Sequence, residues 1–429
     1  MKTLTATLLA ASLCSSTALA QTPAPTNIIY LIGDGMGPAY TSAFRYFSDN
    51  PATPELDKTI FDQLLTGMAS TYPDDDTWVT DSAASATALA SGTKSYNGAI
   101  GVDPQQHPLP SLLEIAKQQG YQTAMVVTSQ INHATPASFL AHNKSRRNYN
   151  EIADEYLTNL IKGQPVADLM LGGGQQYFIR QDKDLVSELK QHGYQYVDNL
   201  DNLAQLTRLP ALGLFGDKGM EPALGSRQPL RLSQMTEHAL RLLSQSPERF
   251  VLVVEASQID WCGHSNDISC AMAEMTDFAA TLELVKAYID QHPNTLMVAT
   301  ADHSTGGLSL GRQGVYQWGA KQVKAVTDMP ADIAASLQAR PKAMTSILAE
   351  QMGLTLNPQQ QQQLRAVIDD KEQLEQALKR RIDEASHTGW TTTGHDAVDV
   401  QIFSYGQGSA LFNGHLDNTE IAKALLGLL

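Results

Sequence analysis

Acidic residues and histidines recur in this chain where short apolar runs end. Gly33-Asp34-Gly35-Met36-Gly37 follows the run 27–32, and His133 and Thr135 follow 123–128. Glu255, Asp260 and His264 come after 250–254, Asp302-His303 after 296–300, and His395 just before 400–405. Singly, each would read as a cap or a loop residue. Gathered at one edge, the carboxylates would repel, since two unit charges 4 Å apart cost about 4 kcal/mol at an effective dielectric of 20. Divalent metal is the simplest way to hold them together, and it brings Lewis-acid chemistry with it.

Two further motifs bear on that chemistry. The glycine-rich stretch around Asp34 lacks G-x-G-x-x-G spacing, and its acid would point negative charge at a pyrophosphate, so a dinucleotide loop is excluded. In Thr80-Asp81-Ser82-Ala83-Ala84-Ser85-Ala86-Thr87-Ala88, Thr80 or Asp81 can cap a helix of small residues. Ser82 then sits in the first turn, where free N–H groups and the positive dipole end favour phosphate. No G-x-S-x-G elbow surrounds Ser82, which disfavours a Ser-His-Asp hydrolase. A metal-activated hydroxyl needs no such base.

The elements that would position these groups form an alternating pattern. Apolar runs at 27–32, 123–128, 168–171, 250–254, 296–300 and 400–405 read as buried strands. Helical periodicity covers 112–119, 149–160, 233–244 and 268–289. Continuous Val/Ile/Leu strands separated by helices predict an α/β fold: one large, mostly parallel sheet flanked by helices on both faces. Sites in such sheets lie beyond the carboxyl ends of the strands. The segment between His303 and His395 is longer than a crossover needs, and helical patterns at 333–352 and 358–384 mark an insertion at about 309–389. It reads either as a solvated helical hairpin or as a lid or dimer clasp.

With 429 residues, 42% hydrophobic and 17% charged, the chain is neither disordered nor coiled coil. A net charge of −15 argues against nucleic acid as a specific partner. Residues 1–20 read as a signal peptide, with basic Lys2, an apolar stretch at 8–13 and a small-residue cleavage site at Ala18-Leu19-Ala20. Residues 21–429 are then one catalytic domain. No later run reaches the roughly 18 apolar residues that span a bilayer, so no membrane partner is expected and the location is periplasmic or secreted. Cys14 leaves with the leader. Cys262 and Cys270 can pair in an oxidising compartment or stay as thiols; their spacing leaves both open.

Taken together, these stretches resemble alkaline phosphatases. The Asp34 loop, the Ser82 segment, His133-Ala134-Thr135-Pro136, Glu255 through His264 and Ala301-Asp302-His303-Ser304-Thr305 occur in that family's order. The likeness runs over 27–309 and resumes from Gly394. It implies Ser82 as a nucleophile that becomes phosphoserine and Arg146 as a clamp on two phosphate oxygens. It also implies two Zn2+ ions, one held by Asp260, His264 and His395 and the other by Asp34, Asp302 and His303. A third ion, Mg2+, would lie at Asp34, Thr135 and Glu255, an oxygen-rich set, with His133 beside it. Small phosphomonoesters as substrates, broad specificity, an alkaline optimum and a homodimer are implied as well.

The chain also departs from some bacterial members, which carry Asp in place of His133 and Lys in place of Trp261. Imidazole is softer than carboxylate, so zinc competes for the third site. Loss of the cation predicts weaker phosphate retention. Two other readings are a phosphodiesterase of the same fold and a periplasmic metal- or phosphate-binding protein without turnover. A sulfatase is excluded, because Ser82-Ala83-Ala84 does not fit C/S-x-P-x-R.

Overall fold

Asn27–Gly33 (β1) is apolar beyond Asn27 and buried on both faces from there on, which requires neighbours on either side and helices above and below. The computed structural model, which describes residues 25–429, supplies both. The other strands of its ten-stranded sheet are Leu65–Ser70 (β2), Gln122–Gln130 (β3), Leu169–Gly173 (β4), Gln195–Val197 (β5), Ala211–Leu214 (β6), Phe250–Ala256 (β7), Thr295–Thr300 (β8), Val400–Gly406 (β9) and Gly414–Asp417 (β10). Their spatial order is β10-β2-β9-β8-β1-β7-β3-β4-β6-β5. Only β9 runs against its neighbours, β8 and β2. The leader expected at 1–20 lies outside the described residues.

All six predicted strands are present. Those not foreseen lack an apolar run or are very short: β2 is Leu-Thr-Gly-Met-Ala-Ser, and β5, β6 and β10 have three or four residues each. Helices cover both faces. Tyr30 meets Phe139 edge-on, whereas Gly33, three residues along, faces Phe278. An odd offset along a strand points to opposite faces. On the Phe278 side lie Pro38–Ser48 (α1), Arg231–Leu243 (α5) and Ile268–Gln291 (α7). Ser82–Ser91 (α2), Leu112–Gln118 (α3) and Asn418–Leu426 (α12) pack together in a second group. Tyr149–Thr158 (α4) and Gln258–His264 (α6) complete the helices around the site.

The insertion is more broken than its periodicity suggests. In place of two helices it contains Pro330–Ala339 (α8), Met344–Met352 (α9), Pro358–Ala366 (α10) and Lys371–Ser386 (α11). Pro341 forces Arg340 out of the helical region. Asp370 starts a fresh helix by accepting the N–H of Gln373. Cys262 and Cys270 are joined in a disulfide across the turn between α6 and α7.

Candidate metal centre

Four adjacent strands, β8, β1, β7 and β3, point their carboxyl ends at one place. Asp34 leaves β1 there, Glu255 lies at the end of β7, and Asp302-His303 follow β8. Past β3, His133 and Thr135 sit at and within the helical turn Ala134–Ala137. Asp260 and His264, four apart on α6, share a face of that helix. His395 arrives from the far side of the insertion and is fixed by pairing of His395–Asp396 with Ser304–Thr305. Gly35 makes the convergence possible. Its φ is +72°, and a Cβ there would stand 2.7 Å from the Asp260 Cα.

Three groups result, each with its ligand atoms within 4.8 Å of one another: Asp260, His264 and His395; Asp34, Asp302 and His303; Asp34, His133 and Glu255. Asp34 belongs to two of them. Thr135 is fully buried beside Glu255. Both Asp34 oxygens, Asp302 Oδ2, Glu255 Oε1, Thr135 Oγ1 and His133 Nδ1 are buried with no hydrogen-bond partner. So many orphaned ligand atoms facing one another require something between them.

Distances within the groups suit that something. Metal–ligand bonds of about 2.0–2.1 Å in a tetrahedron give edges of roughly 3.3–3.4 Å. His303 Nε2 lies 3.4 Å from Asp34 Oδ1 and 3.3 Å from Asp302 Oδ2. His264 Nε2 lies 3.3 Å from Asp260 Oδ2 and 3.2 Å from His395 Nε2. The last pair is the most telling. His264 Nδ1 is 2.6 Å from the Thr393 carbonyl and His395 Nδ1 is 2.8 Å from the Thr80 carbonyl. Carbonyls only accept, so both Nδ1 atoms carry the proton and both Nε2 atoms present lone pairs to each other. Only a cation or an extra proton makes 3.2 Å tolerable.

Without a metal, protons must fill that role. Burial, and then the charge of Asp302, raise Asp34 well above the carboxylate range; burial, and then Asp260, do the same to Asp302. Burial lifts Glu255 to about 7 against hydrogen bonds from Ser257 and Ser129. The Asp260 hydrogen bond lifts His264 to about 9, whereas burial, reinforced by Arg146, lowers His133 to about 3.

Ser82 is buried at the first position of α2, with Oγ 3.2 Å from His303 Nε2. Its helix is capped by Asp81, which accepts from the N–H groups of Ala84 and Gly98 at 2.9 and 3.0 Å. Asp81, the residue before Ser82, also accepts from Arg146 at 3.0 Å, and the other arm of the guanidinium lies 3.4 Å from His133 Nε2; Arg147 next to it is exposed. The edge-on contact of Trp261 with His133, at 5.9 Å between ring centres, places an aromatic wall there.

Several positioning groups escaped sequence reasoning. Thr305 Oγ1 donates to Asp260 at 2.6 Å and lies 3.2 Å from His303 Nδ1, bridging two groups. Asn97 Oδ1 accepts the Asp81 N–H at 2.6 Å, while its amide donates to the Val79 carbonyl. Thr305 stands two residues beyond a predicted ligand, a discernible signal; nothing marks Asn97.

The family model described as alkaline phosphatase matches residues 25–429. The crystal structure of a cold-active alkaline phosphatase from the psychrophile Shewanella sp. is 49% identical, with a TM-score of 0.90 over 94% of this chain and 99% of that one. Alkaline phosphatase 3 of Bacillus subtilis is 43% identical over 403 residues, 92% of this chain and 87% of that protein. A histidine-to-glutamate variant of the TAB5 alkaline phosphatase, described with Mg bound in its M3 site, is 28% identical, with a TM-score of 0.70 over 95% of this chain and 99% of that one.

Proposed function

The chain belongs to the alkaline phosphatase family, and from that premise we propose how its own residues hydrolyse phosphomonoesters. Ser82 is the nucleophile. Asp260, His264 and His395 hold one zinc ion, and Asp34, Asp302 and His303 hold a second. A third ion, magnesium, sits at Asp34, Thr135 and Glu255, where the imidazole of His133 lets zinc compete. The observation that carries this reading is the pair of imidazole lone pairs 3.2 Å apart beside Asp260, with Ser82 Oγ against His303.

When bound, the zinc ions supply Lewis acidity, lowering the pKa of a hydroxyl and offsetting charge on the departing ester oxygen. Ser82 Oγ bonds to phosphorus as the ester P–O bond breaks and the alcohol leaves. Water then cleaves the phosphoserine and releases phosphate. Arg146, oriented by Asp81, presents a fork to two equatorial oxygens, and the free N–H groups of α2 face the same charge. No residue of this set grips the alcohol, which supports broad specificity. Trp261 offers no cation, which weakens retention of phosphate.

No helix among the described residues is long and apolar enough to cross a membrane. We further propose export by the 1–20 leader to the periplasm or beyond, one catalytic domain over 21–429, and a homodimer. Ser82→Ala tests the central claim. It is expected to keep its zinc by metal analysis and lose most turnover of p-nitrophenyl phosphate. Wild-type rates in that variant would remove Ser82 from the mechanism. Faster wild-type cleavage of bis(p-nitrophenyl) phosphate would favour the diesterase instead.

A further inference from the structure

Helix α11, the last of the insertion, reaches both stretches of chain that deliver the imidazoles of the Asp260 group. Lys379 Nζ donates to the carbonyl of Ser265, the residue after His264, at 2.8 Å. Asp383 Oδ1 accepts from Trp390 Nε1 at 3.1 Å. Trp390 begins the stretch that runs through Thr393 to His395. Positions 379 and 383 are one turn apart and share a helix face.

What Trp390 anchors is the support of both histidines. Its ring lies on Gly306, where a Cβ would come within 2.6 Å of a ring carbon. Thr391 and Thr392 donate their N–H groups to the Gly306 carbonyl at 3.1 and 3.3 Å, and Gly306 donates to the Gly394 carbonyl at 2.8 Å. That lacing places the Thr393 carbonyl against His264 Nδ1 and sets the approach of His395. Asp383 is buried, so its bond to the indole is shielded from competing water.

We propose that Lys379 and Asp383 are positioning residues: α11 clamps the Ser265 and Trp390 stretches together and so sets how tightly Asp260, His264 and His395 hold their ion. The insertion is thereby part of the metal site rather than only a solvated hairpin. This inference rests on the metal reading above.

The test is zinc release from the full-length, zinc-loaded protein to an excess of chromogenic chelator. Asp383→Ala, Lys379→Met and Trp390→Phe are each expected to release one zinc about tenfold faster than wild type, the low end for groups that support metal ligands. Trp390→Phe removes the donor and part of the ring that lies on Gly306, whereas Lys379→Met leaves that ring untouched, so Lys379→Met reads the clamp even if the other two variants fail to fold. Asp383→Asn retains an acceptor and should restore the wild-type rate. A merely structural role would lower the melting temperature of the metal-free variants and leave zinc release unchanged. Wild-type release rates in Trp390→Phe and Lys379→Met would overturn the clamp while leaving the metal site standing. A wild-type protein that takes up no zinc would overturn the metal reading and the clamp with it.

Discussion

Gly35→Ala perturbs the contact on which the convergence of the ligands depends. The residue has φ +72°, where an L side chain costs about 1–2 kcal/mol. The added methyl would also stand 2.7 Å from the Asp260 Cα and 2.8 Å from its Cβ, close to backbone that cannot swing aside. Overpacking of that kind costs about 1–3 kcal/mol. Together the two give roughly 2–5 kcal/mol of lost stability. Gly120→Ala is the control, because φ is +84° there and nothing lies within 4 Å of a Cβ, so only the backbone part applies. Urea unfolding of the metal-free proteins measures both. The Gly35 variant should also hold less zinc, since relief of the clash moves Asp260. Equal losses in the two variants, with full zinc content in Gly35→Ala, would refute the close approach.

Two other perturbations follow from buried charges. Arg231 on α5 is buried and pairs with Glu274 at 2.8 Å and Asp277 at 3.2 Å, both buried on α7. Arg231→Met should cost about 3–5 kcal/mol in urea unfolding, because it strands two carboxylates; a loss under about 1 kcal/mol would mean the network is not coupled. His142 lies with Nδ1 2.7 Å from the Gly101 carbonyl and Nε2 2.8 Å from Glu114, while Glu155 accepts its backbone N–H at 2.6 Å. Burial opposes the charged ring, and Glu114 outweighs it, so His142 titrates above the ordinary histidine value. A raised pKa makes its stabilisation complete below about pH 6.5 and lost as pH rises through the folded value. His142→Gln should therefore flatten the fall in unfolding midpoint between neutral and alkaline pH. An unchanged slope would count against a charged His142.

The core of the fold was legible because β1, β3, β7 and β8 each contain an unbroken apolar run, and burial on both faces permits little else. Strand β10 was not, since His415 and Gly414 on an exposed edge carry no hydrophobic pattern. The insertion followed the same logic: its helical periodicity was visible, but the break at Pro341 depends on one residue overriding it.

The candidate site divides in a comparable way, between groups that act through side chains and groups that act through the backbone. Asp34, Asp302, His303 and His264 are recognisable because only a carboxylate or an imidazole can do what their positions ask. Their orientation comes from elsewhere. The Thr80 carbonyl directs His395, the Thr393 carbonyl directs His264, and the Gly98 N–H holds Asp81. Nearly every residue type offers these atoms, so composition at 80, 393 or 98 carries no trace of the duty. The carbonyls nonetheless decide which imidazole nitrogen keeps its proton, and hence that two lone pairs face each other beside Asp260. A ligand set can thus be read from residue types, whereas the tautomers that make it a ligand set depend on where the backbone turns.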